Sequence, residues 1–80
     1  MRALLLVCTL LLAGPACAAD DASACAQGIA MIRESLALNP PDPTLTKLQK
    51  ARRVAEREQK EGEFDECLDA VSDARKALGR

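Results

Sequence analysis

Hydrophobic residues recur at three- and four-residue intervals in three successive segments of the chain after residue 19. This spacing places apolar side chains on one face of a helix, so each segment is predicted to form an amphipathic α-helix. The predicted helices cover residues 20–38, 43–61 and 62–78. The pattern therefore predicts an all-α fold of three short helices, of which the last two form an antiparallel hairpin.

The third segment carries the strongest amphipathic pattern. Its apolar stripe consists of Phe64, Cys67, Leu68, Val71, Ala74 and Leu78. Acidic residues lie at its start and basic residues at its end, which is the distribution that the helix dipole favours. We expect the other two helices to cover this stripe.

The first segment has four apolar residues at positions i, i+4, i+7 and i+11. They are Cys25, Ile29, Ile32 and Leu36. Asp20, Asp21 or Ser23 is expected to cap the helix start. Gly28 lies inside the segment, where glycine weakens a helix by about 1 kcal/mol relative to alanine but allows a neighbouring backbone to approach closely. The proline-rich residues 39–43 are predicted to end the helix.

The second segment begins at an Asp42-Pro43 pair, which suits a helix N-cap and first helical position. Its predicted inner residues are Leu45, Leu48, Ala51, Val54 and Ala55. The run 56–61 is entirely polar and is predicted to be a solvent-exposed helix end. The i,i+4 ion pairs expected here, worth a few tenths of a kcal/mol each, are Arg52–Glu56, Glu56–Lys60 and Arg57–Glu61. Gly62 is predicted to end the helix in the left-handed conformation.

Residues 1–19 have the three-part pattern of a secretory signal peptide. Arg2 supplies positive charge, an apolar run follows, and small residues precede expected cleavage before Ala19 or Asp20. The apolar run of about ten residues is short for an uncleaved membrane anchor, which needs about 20. A lipoprotein modified at Cys17 is the other alternative, although Gly14 stands where such sequences normally have Leu. The sequence therefore predicts a signal peptide, residues 1–19, and one small domain, residues 20–80, of a periplasmic or secreted protein.

The charge of the predicted domain argues against two classes of partner. Residues 20–80 hold ten of the eleven Lys and Arg residues and all twelve Asp and Glu residues, so their net charge is slightly negative. Nucleic acids and anionic membranes bind basic surfaces. We therefore expect no nucleic-acid partner and, after signal cleavage, no membrane association.

Cys25 and Cys67 are the two cysteines expected to remain after signal cleavage. Two cysteines in a small exported domain are usually oxidised to each other. Closing a loop of this length would stabilise the fold by about 4 kcal/mol in the chain-entropy model. We predict a structural disulfide between Cys25 and Cys67, with an intermolecular bridge or a redox role as alternatives; a C-x-x-C motif typical of redox sites is absent from the sequence.

The run Lys60-Glu61-Gly62-Glu63-Phe64-Asp65-Glu66-Cys67-Leu68, continued by Ala70, Val71, Ala74 and Leu78, resembles the turn and second helix of a tetratricopeptide repeat. The resemblance covers about one repeat of the roughly 34-residue unit. It implies a helical hairpin of that geometry and a protein-binding surface. A tight antiparallel helix pair of any family is the alternative explanation, since it also favours Gly, an aromatic and a small residue at this spacing.

Two groups of charged residues are candidate functional sites. A basic group on the second helix is a possible interaction surface, comprising Lys47, Lys50, Arg53 and Arg57. Asp65, Asp69 and Asp73 form i,i+4 pairs that could bind a cation or share a proton if buried. We expect these carboxylates to be a solvated face instead, with the basic second helix compensating the acidic third helix.

The composition excludes several kinds of active site. The chain has no His, so a Ser-His-Asp triad and His-containing zinc sites are impossible. We therefore expect a non-enzymatic module, without cofactor or metal, that binds a protein of unknown identity and is a monomer or homodimer. A chaperone-like or stress-protective protein and a secreted enzyme inhibitor are the alternative functions.

Overall fold

The computed structural model describes residues 15–80 of the chain, with side chains described from residue 20 onward. Over this range the fold is all-α and contains three helices: α1 (Pro15–Ala37), α2 (Thr44–Lys60) and α3 (Phe64–Ala77). Residues 1–14 of the predicted signal peptide lie outside the described residues, as do the side chains of residues 15–19, including that of Cys17. No helix within residues 15–80 is both long enough and apolar enough to cross a lipid bilayer.

Helices α2 and α3 form the predicted antiparallel hairpin. Only residues 61–63 connect them, and Gly62 has a φ of 76°, the left-handed conformation that ends a helix. At the open end of the hairpin, the Thr44 hydroxyl lies 3.5 Å from the Ala77 carbonyl oxygen to which it donates. The start of α2 therefore lies beside the end of α3.

Helix α1 packs against both α2 and α3 and completes a three-helix bundle. The buried hydrophobic core contains Cys25, Ile29, Ile32, Leu48, Ala51, Ala55, Cys67, Ala70, Val71 and Ala74. All three helices contribute to it at the three- and four-residue intervals predicted from the sequence. Gly28 is also buried, where α1 meets Val71 of α3.

The start of α1 differs from the prediction. The helix begins at Pro15, five residues before Asp20, because proline is tolerated in the first turn, where its missing amide hydrogen has no helical partner. Asp20, Asp21 and Ser23 consequently lie inside the helix and do not cap it. The Ser23 hydroxyl instead accepts a hydrogen bond of 3.3 Å from Gln27 Nε2.

The start of α2 is displaced by one residue from the prediction, because Pro43 is the N-cap and Thr44 the first helical residue, so that Asp42 is not the N-cap; its side chain nevertheless supports the helix start. Asp42 Oδ1 accepts hydrogen bonds from the Thr46 backbone amide at 3.1 Å and from the Thr46 hydroxyl at 2.7 Å. One of the amides without a helical partner at the helix start is thereby satisfied.

The polar end of α2 is not uniformly solvent-exposed, and the prediction was wrong in this respect. Glu58 is 9% exposed and counts among the buried residues. The expected i,i+4 ion pairs are also absent within residues 20–80. Glu56 pairs instead with Arg33 of α1 at 2.6 Å, and Arg57 Nη2 pairs with Glu58 Oε2 at 2.9 Å. Glu56 therefore pairs with a neighbouring helix, and Arg57 pairs with the adjacent residue of α2, instead of with the residues four positions away.

Candidate interaction surface

The Cys25–Cys67 disulfide fixes α1 on the hairpin, as predicted. The Sγ–Sγ distance is 2.08 Å and the two Cα atoms lie 5.8 Å apart. Both cysteines are fully buried in the core. The bond therefore joins α1 to α3 inside the core.

A shallow groove with a volume of about 440 Å³ runs along the surface between α2 and α3, and we call it the α2–α3 groove. Both helices line it, and no described residue of α1 does. Its lining residues are Lys47, Lys50, Ala51, Val54, Glu66, Asp69, Ala70, Asp73, Lys76 and Ala77. The groove therefore has a floor of small apolar side chains and a rim of six charged ones.

The rim charges are ordered along the α2–α3 groove. Because the helices are antiparallel and Thr44 lies beside Ala77, Lys47 near the start of α2 lies close to the level of Lys76. Lys50, one turn further along α2, lies close to the level of Asp73. Glu66 and Asp69, at the start of α3, lie toward the hairpin turn. The groove thus has a basic end (Lys47, Lys50 and Lys76) and an acidic end (Glu66 and Asp69), and Asp73 lies across from Lys50 at the inner edge of the basic end.

These rim charges are not used in ion pairs inside the part of the chain that the structure describes. The ion pairs found over residues 20–80 are Arg33–Glu56 and Arg57–Glu58, and neither involves the groove. All six charged rim residues are exposed. The expected compensation between the basic second helix and the acidic third helix is therefore not made through ion pairs within residues 20–80.

Interaction between carboxylates is strongest at the acidic end of the groove. The carboxylate of Glu58, followed by that of Asp65, raises the pKa of Glu66 above its ordinary value of 4.5. Desolvation and the carboxylates of Glu63 and Asp69 add smaller effects in the same direction. Neighbouring carboxylates of like charge disfavour ionisation of one another. This end of the groove would consequently gain from a cationic partner.

The structure separates the predicted basic surface into two parts. Lys47 and Lys50 form the basic end of the α2–α3 groove. Arg53 and Arg57 line a different depression, shared with Arg33 and Glu56, and Arg57 is engaged by Glu58. The four residues are all exposed but do not form one continuous site.

From the sequence, Asp69 and Asp73 were considered only as carboxylate pairs with Asp65 or with each other, and Glu66 was not considered as part of a site. Asp65, Asp69 and Asp73 are exposed, as expected for a solvated face. Within the described residues, no group of three or more His, Cys, Asp or Glu side chains could hold a metal ion. Residues 66, 69, 73 and 76 follow a 3-4-3 spacing that places them on one side of a helix. That spacing was the sequence signal that these four charged residues lie on one surface.

Comparison with known proteins gives no relative from which a role could be transferred. No family model matches the chain, and no curated protein or solved structure matches it. The α2–α3 groove and the disulfide are therefore the features from which a function is inferred.

Proposed function

We propose that this chain is an exported, non-enzymatic protein-interaction module whose binding surface is the α2–α3 groove. The observation that carries the proposal is the pairing of an apolar floor, including Val54, with six exposed rim charges that have no ion-pair partner within residues 20–80. Protein interfaces commonly combine an apolar centre with a polar rim.

Export is supported by two independent features. The first nineteen residues carry the pattern of a secretory signal peptide. The Cys25–Cys67 disulfide is typical of proteins that fold in an oxidising compartment, such as the bacterial periplasm or the extracellular space. The proposed location is therefore the periplasm or the medium, after cleavage near Ala19.

The resemblance to a tetratricopeptide hairpin is part of the proposal. Gly62 in the left-handed conformation, half-buried Phe64 at the start of α3 and buried Ala70 at the contact between helices support it. Proteins of that family bind other proteins through helical surfaces. Catalysis is disfavoured because the chain has no His to activate any of its serines.

A capture experiment tests the proposed function. The oxidised protein is immobilised at a micromolar concentration and incubated with the exported fraction of the cells that produce it. Bound proteins are identified by mass spectrometry. A Lys47→Glu/Lys50→Glu variant is expected to lose the specific partner, whereas an Arg53→Glu/Arg75→Glu variant, with the same change in net charge outside the groove, is expected to keep it. Capture of no specific protein by the unmodified chain would contradict the proposal.

A further inference from the structure

We infer that the partner seated on the α2–α3 groove is the same groove of a second copy of this chain, in an antiparallel, two-fold symmetric dimer. This inference rests on the proposed function, because it names the partner of the same surface. Its basis is the order of the rim charges, which is complementary to itself when one copy is reversed.

Reversal brings opposite charges together twice. In a two-fold symmetric interface, each contact between two residues is repeated with the copies exchanged. When the groove of one copy runs opposite to that of the other, its basic end (Lys47, Lys50 and Lys76) faces the partner copy's acidic end (Glu66 and Asp69). The same contact recurs at the other end of the groove. Both clusters of like charge thereby gain a counter-charge.

The parallel arrangement of two copies lacks this complementarity. It would set the lysines of one basic end against those of the other and Glu66 against Glu66. Like charges facing each other across an interface are costly and exclude such an arrangement. The charge order along the groove therefore selects the antiparallel dimer.

The floor of the groove allows the two copies to approach closely. Ala51, Ala70 and Ala77 are small, and half-buried Val54 supplies the largest apolar side chain. The stretch of α3 from Glu66 to Ala77 is about 16 Å long at 1.5 Å per residue. An interface of this length lies at the small end of protein–protein contacts, so we expect a weak, reversible dimer with a dissociation constant in the micromolar range or above.

Other occupants fit the charge order less directly. A partner helix with an acidic end and a basic end would satisfy the same rim, and α3 of this chain, with Glu66 and Asp69 near its start and Lys76 near its end, is such a helix. A uniformly basic or acidic partner would meet repulsion at one end. A second copy of this chain has an acidic end and a basic end in the required order, because its groove is identical.

Sedimentation equilibrium of the oxidised, exported protein between about 1 µM and 1 mM tests the inference. We expect a monomer–dimer equilibrium that weakens at least tenfold between low salt and 0.5 M NaCl, because the contacts at both ends are charged and become screened. Lys47→Glu/Lys50→Glu makes both ends of the groove predominantly acidic, and Glu66→Lys/Asp69→Lys makes both ends basic. Each variant alone is expected to be monomeric.

Mixing the two variants is expected to restore association as a one-to-one heterodimer, because an all-acidic groove complements an all-basic one. The control replaces the acidic variant with Arg53→Glu/Arg75→Glu, which has the same net charge but an unchanged groove. Its mixture with the basic variant is expected to form no heterodimer of comparable affinity. A monomeric wild-type protein at 1 mM, a dimer indifferent to the groove substitutions, or equal association in the control mixture would overturn the inference.

The outcome also separates this inference from the proposed function. A monomeric wild-type chain that still captures an exported protein through Lys47 and Lys50 would overturn the dimer and leave the proposed function standing. A monomeric chain that captures nothing would overturn both. Self-association with the predicted pattern of variants would support both.

Discussion

Gly28 of α1 lies directly against the side chain of Val71 of α3. A Cβ atom added at Gly28 would stand 2.5 Å from Val71 Cγ2 and 2.6 Å from Val71 Cγ1. Val71 is fully buried and β-branched, so its methyl groups have few other rotamers available. Helix α1 can therefore approach α3 this closely only because residue 28 has no side chain.

We predict that Gly28→Ala destabilises the protein even though alanine is the better helix former. The gain in helix propensity is about 1 kcal/mol. Overpacking a buried contact costs about 1–3 kcal/mol and here meets two methyl groups at once. Because both methyl groups are met, we expect a cost near the upper end, about 2–3 kcal/mol, and a net loss of about 1–2 kcal/mol in the free energy of unfolding. Urea denaturation followed by circular dichroism measures this loss.

Val71→Ala provides the specific control for this contact. The single variant should cost about 2 kcal/mol through lost burial and the cavity left behind. In the double variant the new methyl group at residue 28 has room, so the two costs should not add. Gly62→Ala, at a left-handed residue with open space around it, should destabilise through the backbone and gain nothing from Val71→Ala. If the losses in free energy of unfolding caused by Gly28→Ala and Val71→Ala added fully in the double variant, the contact between residues 28 and 71 would be contradicted.

The Cys25–Cys67 disulfide is predicted to supply much of the stability of the domain. The cysteines are 42 residues apart, which corresponds to about 4 kcal/mol in the chain-entropy model. A Cys25→Ala/Cys67→Ala variant should therefore melt at a much lower temperature than the oxidised protein, and the wild type in reductant should match it. An unchanged melting curve would contradict a structural role.

The same pair of samples tests the chaperone-like alternative. If reduction loosens α1 from the hairpin, the apolar stripe of α3, which includes Val71, becomes accessible. Binding of a hydrophobic dye should then rise on reduction at a temperature where the oxidised protein binds none. A chaperone-like role further requires that the reduced protein slows aggregation of a client protein, and dye binding that does not change would remove that alternative.

The fold could be predicted from the sequence because its core follows helical periodicity. The stripe from Phe64 to Leu78, the turn at Gly62 and the disulfide all follow from local spacing and residue chemistry. The start of α1 could not be placed, because Pro15 suits both the end of a signal peptide and the first turn of a helix.

The groove could be predicted only in part, because it depends on contacts between helices. Lys47 and Lys50 were identified by their charge, but their separation from Arg53 and Arg57 depends on where α3 packs. The burial of Glu58 likewise results from the packing of neighbouring helices, which its own polar segment does not reveal. Pairings such as Arg33–Glu56 join residues far apart in sequence and have no local signal.

Glu66 is predicted to titrate above its ordinary pKa of 4.5, chiefly because of the Glu58 carboxylate. Glu58→Gln removes that charge and should lower the pKa of Glu66, as followed by NMR of the side-chain carboxyl carbon. Glu61→Gln is the matched control, since Glu61 is not among the groups that raise this pKa. An equal shift in both variants would show that the effect is not specific to Glu58.

The sign of the corresponding stability change follows from linkage. The pKa of Glu66 is higher in the folded state, so the folded protein holds this proton more tightly than the unfolded chain does. The contribution of Glu66 to stability therefore increases as the pH falls through the folded-state pKa and is complete below the unfolded-state value. In Glu58→Gln this pH dependence should become weaker; a steeper dependence would contradict the assignment.

The final prediction concerns processing of the exported chain. The first buried side chain described in α1 is Cys25, so cleavage before Ala19 or Asp20 leaves the described core contacts intact. It also places Asp20 and Asp21 in the first turn, where the helix dipole favours negative charge. The intact mass of the exported protein should match one of these two starts and rise by two hydrogen atoms on reduction. A lipid-modified Cys17, an unprocessed chain, or a mass unchanged by reductant would each contradict the corresponding part of this prediction.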